Sequence, residues 1–249
     1  MSAPTLPAEV RAAFPDAAQI VRLWPLANRK PAGHRVLGFL LALDGTDALR
    51  YPLGTRNQRL LALHETLARR PLEARSTCPA CGTDNEFPLP TRAIADLPRP
   101  QPDAVATLTV DGTPHTFRLP VLADLADGPS GLGGLAGLAE RTCLHPPAPR
   151  LTAQDLERLA AGWGVLDPAG SLRIQLSCAG CGRELAADAD PAEFVARDFD
   201  LLVDRLLREV DLIAARYGWA EDAILALPPA RRRRYLEIIT ESRSPAAAR

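Results

Sequence analysis

Lysine is nearly missing from this 249-residue chain: Lys30 is the only one, and the other basic groups are arginines. That bias reads as the codon usage of a GC-rich bacterial genome and points to no function. Aromatic residues make up only 5%, so a core must be built mostly from Leu, Ala, Val and Ile. An excess of either charge is also absent. The net charge of −1 argues against a global field that would draw the protein to nucleic acid or anionic lipid. The longest apolar run, residues 36–43, is far too short to span a bilayer. The opening MSAPTLPAEV lacks a basic start followed by an apolar stretch, so it does not read as a secretory signal. The expectation is a cytoplasmic protein with no membrane partner. In that compartment thiols stay reduced, and paired cysteines favour metal over disulfide.

What is present fits a globular chain. Apolar residues reach 47% and charged residues 24%, and the length suits one large domain or two small ones. Proline is frequent, at 24 residues, and collects between the periodic segments, as in short elements joined by stiffened loops. Helical spacing is read over 8–24, with a break near Pro15, over 34–43 and over 55–69, where Leu60, Leu63, His64 and Leu67 share a face. Asp111-Gly112 supplies a hairpin turn between strands at 106–110 and 116–119. Residues 121–144 read as helical, interrupted by a Gly-rich flexible loop over 128–137. A stiff linker over 145–149 leads to a helix over 152–162 with Thr152 as N-cap. Strands are expected over 86–89 and 172–176. The best-marked element begins with Asp190 as N-cap and Pro191 as first residue, and it stops at Gly218. Short helices over 221–227 and 230–241 follow, the last burying Tyr235, Leu236, Ile238 and Ile239.

Cysteine spacing carries the chemistry. Cys78-Pro79-Ala80-Cys81-Gly82 and Cys178-Ala179-Gly180-Cys181-Gly182 are two turns of one form, each beside a strand. Together they supply four thiolates, the ligand set of a closed tetrahedral zinc site. A redox dithiol is the competing reading, but such motifs open a helix in a βαβ unit and neither pair does so. Four cysteines leave no open position, which argues against a catalytic zinc. Cys143 is left over and reads as a buried free thiol, with His145 beside it. His64-Glu65 starts like a metalloprotease motif but lacks the second histidine. With no phosphate-cradling loop, nucleophile elbow or placed acid pair, the chain reads as a non-enzyme.

The assembled features resemble the baseplate-hub assembly chaperone family of contractile phage tails and bacterial contractile injection systems. The resemblance rests on Leu23-Trp24, the helix at 35–43, the stretch YPLGTRNQRLLAL at 51–63, the first CPACG turn, and FRLP at 117–120 followed by Asp124-Leu125. It is most specific in LLREV at 206–210, AARYGWAE at 214–221, ILAL at 224–227 and RRRRYL at 231–236. Two departures stand out: Asp211 stands where histidine is expected, and the second cysteine turn lacks the usual proline.

The resemblance implies an assembly factor, or a structural subunit retained in the particle, that binds baseplate, hub or spike proteins. The expected fold is α+β and mainly helical: a split four-cysteine zinc ribbon (76–92 and 171–189) carrying an inserted hairpin-plus-helix segment (93–170). A helical segment (1–75) precedes it, and a long helix with two short ones (190–249) follows. Tyr217, Trp219, Arg231, Arg234 and Tyr235 are candidate partner contacts, because aromatic and Arg side chains anchor interfaces. The competing expectation is that Trp219 and Tyr235 only fasten the last helices to the long one. A zinc-ribbon nucleic-acid-binding regulator using Arg231 to Arg234 is the other alternative. Against it, successive arginines point all around a helix.

Overall fold

A computed structural model describes residues 15–27, 32–68, 71–101, 103–125, 134–147 and 150–243. In chain order the elements are α1 (Ala17–Ala27), α2 (Ala32–Asp44), a 3-10 turn (Gly45–Arg50) and α3 (Leu53–Ala68). Then come β1 (Glu73–Thr77), β2 (Asp84–Pro88), α4 (Thr91–Ala95), β3 (Val105–Val110), β4 (Thr113–Arg118) and a 3-10 turn (Leu122–Leu125). They continue through α5 (Gly134–Thr142), β5 (Cys143–His145), α6 (Ala153–Leu166), β6 (Leu172–Ser177) and β7 (Glu184–Ala189). The chain closes with α7 (Pro191–Tyr217), α8 (Glu221–Leu225) and α9 (Pro229–Arg243). The class is α+β and mainly helical, with small antiparallel sheets and one long helix near the C-terminus. No described helix is long and apolar enough to cross a membrane.

The long helix α7 forms where its end signals predict. The Asp190 carboxylate accepts the Ala192 N–H at 3.0 Å, and Gly218 adopts φ 67° while its N–H closes on Ala214 O at 2.8 Å. Between these caps Val195, Phe199, Val203, Leu206, Val210 and Ile213 are buried. Helices α1, α2, α3, α8 and α9 contribute to the same core through Ile20, Val36, Phe39, Leu40, Leu60, Leu63, Ile224 and Ile239. A reciprocal cap starts α1: Asp16 Oδ1 accepts from Gln19 N at 2.8 Å, and Gln19 Oε1 accepts from Asp16 N at 2.9 Å. That helix runs on to Ala27, and the part of the expected 8–24 helix before residue 15 lies outside the described residues.

Two short hairpins, β1–β2 and β6–β7, share a second apolar cluster of Leu61, Leu72, Ala74, Leu89, Ile94, Ala169, Leu172 and Ala189. Between them in sequence lies a third core, where β3–β4–β5 is covered by α5 and α6 through Leu108, Phe117, Ala139, Leu159 and Trp163. Asp111 at φ 50° and Gly112 at φ 78° make the tight turn of its main hairpin.

Three expectations are corrected. The Gly-rich stretch is not loop throughout: Gly134 to Gly137 open α5, and residues 128–133 lie outside the described residues. In α9, Ile239 is buried, whereas Ile238 is exposed and Tyr235 and Leu236 are half-buried. The buried residue in the Arg run is Arg232. Helix α3 is not one-sided either. Every residue from 56 to 64 is buried, because α3 lies between the helical core and the hairpin cluster.

Candidate metal centre

Each cysteine turn is built the same way from local backbone bonds. In the first, Cys78 N donates to Thr83 O at 2.9 Å, and Gly82 N donates to Cys78 O at 2.9 Å. In the second, Cys178 N donates to Arg183 O at 2.8 Å, and Gly182 N donates to Cys178 O at 2.9 Å. Gly82 and Gly182 adopt φ 73° and 70°, a conformation that side chains disfavour. At the mouth of each hairpin a hydroxyl holds a carboxylate: Thr77 Oγ1 donates to Asp84 Oδ1 and Ser177 Oγ to Glu184 Oε1, both at 2.6 Å.

The fold brings the two turns face to face, and all four expected ligands meet. The Sγ atoms of Cys78, Cys81, Cys178 and Cys181 lie within 4.8 Å of one another. Cys78 Sγ is 3.8 Å from Cys181 Sγ, and Cys81 Sγ is 3.6 Å from Cys178 Sγ. A tetrahedral site with metal–sulfur bonds of ~2.3 Å has sulfur–sulfur edges of about 3.8 Å, so the donor set fits an ion of that size. A disulfide would need sulfurs at about 2.05 Å. Cys78 and Cys178 are buried and form the floor, while Cys81 and Cys181 are exposed at the lip. Among the described residues this is the only cluster of its kind.

Crowding splits the thiols electrostatically. The Cys181 N–H is the largest influence on Cys178, and together with the Gly180 N–H it holds that thiol down to about 6 against burial. On Cys181 the Arg183 N–H pulls downward, yet the sulfurs of Cys81 and Cys178, together with burial, push it up to about 11. The Thr83 hydroxyl lowers Cys81. Four thiolates this close repel, and a cation among them would let all four ionise together.

Asn85 was not anticipated from the sequence. It is 5% exposed, and its Nδ2 donates to Thr83 O at 3.0 Å and Ser76 O at 3.2 Å and approaches Cys178 Sγ at 3.8 Å. Its Oδ1 accepts the Ala179 N–H at 2.8 Å. An asparagine inside a strand ordinarily reads as a poor strand former, so only the tertiary arrangement gives it meaning.

The remaining candidates sit elsewhere. Cys143 is half-buried rather than buried and lies on β5, where its thiol donates to Pro146 O at 3.3 Å. His145 beside it is exposed. His64 is buried against Asp198, tying α3 to α7. Tyr217, Trp219 and Tyr235 pack on one another, with ring centroids 5.1 to 5.4 Å apart. This cluster fastens α9 to the end of α7, while Trp219 stays 37% exposed. The arginine run divides. Arg232 is buried on Glu209 at 2.9 Å and donates to Leu227 O at 2.6 Å, and Arg234 pairs with Glu237 and Glu241. Arg231 and Arg233 remain exposed.

Helix α3 gathers a polar network that reaches distant segments. Gly54 N donates to Asp167 Oδ2 at 2.7 Å, and Arg56 reaches Asp190 at 2.8 Å. Asn57 Nδ2 donates to Ala169 O at 2.8 Å and Gln58 Nε2 to Leu97 O at 2.8 Å. Arg59 grips Asp44 with two nitrogens, at 3.0 and 2.7 Å. The stretch at 51–63 thus positions the hairpin bases, the helical core and the entry to α7 from a single helix. Compared with protein-family models, with curated proteins and with solved structures, the chain matches none.

Proposed function

We propose that this protein is a non-catalytic scaffold whose two cysteine hairpins, joined as the halves of a split zinc ribbon, are held by one structural zinc. In that scaffold it serves as an assembly factor for the baseplate or hub of a contractile tail-like particle. The observation that carries the scaffold reading is the cluster of four cysteine sulfurs, with edges of 3.8 and 3.6 Å that suit a tetrahedral site. When bound, the ion would stabilise charge on four thiolates and tie together chain segments that lie about a hundred residues apart. Cys78 and Cys178 would hold it from the floor, and Cys81 and Cys181 from the lip.

The assembly role rests on the sequence resemblance, and the molecule has features that suit it. The inserted segment has a core of its own, and the hairpin bases beneath the cysteines anchor its ends, so fixing the hairpins fixes where the insert points. A nucleic-acid role is disfavoured because Arg232 is buried on Glu209 and Arg234 has acidic neighbours, Glu237 and Glu241, on the same helix. The test is a tagged pull-down from the native host, with mass spectrometry on the soluble lysate and on purified particles. Baseplate, hub or spike proteins in the soluble fraction, with this chain missing from finished particles, is the expected outcome. Its recovery in the particles would make it a retained subunit, and recovery of nucleic acid without either would overturn the assembly reading.

A further inference from the structure

The two cysteine hairpins share a backbone register, yet they differ in sequence where they touch each other, and the differences interlock. Thr77 pairs with Asp84 and Ser177 with Glu184, so the hairpins superpose position for position. In that alignment Asn85 matches Leu185, Pro79 matches Ala179 and Ala80 matches Gly180. Asn85 of the first hairpin accepts the N–H of Ala179 in the second. By the same symmetry Leu185 would face Pro79, which has no N–H to give. An apolar side chain therefore stands there, buried with the floor cysteines.

Gly180 shows the same asymmetry. A Cβ at that position would lie 2.3 Å from Thr83 Oγ1 and 3.4 Å from Cys81 Sγ, whereas the matching position in the first turn carries Ala80. The first hairpin thus leaves no room for a side chain on the second turn, and it supplies the acceptor that the second turn's backbone needs.

We propose that Thr83 and Asn85 form a socket on the first hairpin into which Ala179 and Gly180 of the second turn seat, setting the geometry of the Cys178 ligand. The proposal rests on the reading of the cluster as a metal site and makes Asn85 a positioning residue for it. Its amide fixes the Ala179 peptide and approaches the Cys178 sulfur, so it sets where the buried Cys178 ligand stands. Partners that orient metal ligands typically matter by 10–100-fold in affinity, roughly, when removed. A proline at 179, matching Pro79, would remove the N–H that Asn85 accepts.

The test uses the full chain, stripped of metal and reduced. Co2+ is titrated to read the sulfur-to-cobalt absorption, and Zn2+ is then added in competition to rank affinities. Asn85→Leu and Ala179→Pro should each weaken binding about 10–100-fold while the bound form keeps the spectrum of a tetrahedral four-sulfur site. The double variant should be no weaker than the worse single, because both break one contact. Pro79→Ala should bind like the parent. Pro79 shows that this turn accommodates the ring; if Ala179→Pro nonetheless fails to fold, Gly180→Ala takes its place and is expected to weaken binding with the same spectrum. Parent-like affinity in Asn85→Leu, or losses that multiply in the double variant, would overturn the proposal. Failure of the parent chain to bind either ion would instead overturn the metal reading itself.

Discussion

At Gly54 the start of α3 lies directly against Asp167. A Cβ on Gly54 would lie 1.8 Å from Asp167 Oδ1, so Gly54→Ala must push a buried carboxylate away from the start of α3. The expected cost is about 2–3 kcal/mol in chemical unfolding, the upper part of the range for overpacked sites. Asp167 itself is 5% exposed, and its Oδ1 has no hydrogen-bond partner. Burial raises its carboxyl above the ordinary 3.8, against the lowering by the Gly54 N–H. The folded state therefore disfavours its charge. That penalty is fully present above its raised pKa and is relieved as pH falls through it. Asp167→Asn keeps an acceptor for Gly54 and removes the charge, so it should leave stability at neutral pH unchanged or higher, whereas Asp167→Ala should lower it. Asp124 behaves oppositely. Burial alone would raise it, but the Arg118 guanidinium and the Val121 N–H hold it below 3.8. Its contribution is present above 3.8 and is lost as pH falls through the depressed value. An Asp124→Asn variant should be less stable at neutral pH and should converge on the parent in strong acid, as read by thermal midpoints across pH.

Among the elements, α7 was readable because its signals are local. Asp190-Pro191 at one end and Gly218 at the other act through the first and last turns, and the apolar stripe repeats at helical spacing. The cysteine turns were readable for the same reason, since two pairs of one fixed spacing announce a shared four-sulfur cluster. Helix α3 was not, because Leu60, Leu63 and His64 suggest one buried face, while Arg56, Asn57, Gln58 and Arg59 look like solvent-facing residues. Their burial depends on acceptors in four distant segments, including Asp44, Leu97, Ala169 and Asp190. Nothing within α3 encodes those partners. Of the strands in the cysteine hairpins, β1 and β7 had no expectation and β2 was expected only from residue 86: Asp84-Asn85-Glu86 and the alanine-rich 186–189 are weak strand formers held by pairing across the turn. The network on α3 gives a test. Arg59→Ala strips the cation from Asp44, whose side chain is 4% exposed, and should cost about 3–5 kcal/mol in urea unfolding. Arg59→Met combined with Asp44→Leu should recover much of that loss, because a buried pair is then replaced by packing.

At the scale of the whole molecule, the cysteine cluster closes the tips of the segments before and after the insert on each other, above the apolar cluster that their bases share. The helical core and the insert core are apolar and complete without it, whereas the cluster around Cys78, Cys178 and Leu185 is small. Removing metal should therefore loosen the two cysteine turns while the hairpin bases stay packed on their shared apolar cluster, seen as retained far-ultraviolet circular dichroism with faster hydrogen exchange confined to the turns at 78–83 and 178–183. Because the ligands bind metal as thiolates, protons compete with it, and the loss should set in as pH falls. The most direct test of the central claim is the mass of the purified, reduced chain by native and by denaturing mass spectrometry. A difference of one zinc ion per chain, abolished together with the protection of the turns in Cys178→Ala, is the expected result. A chain that carries no metal with four free thiols in the cluster, or that carries iron in place of zinc, would contradict it.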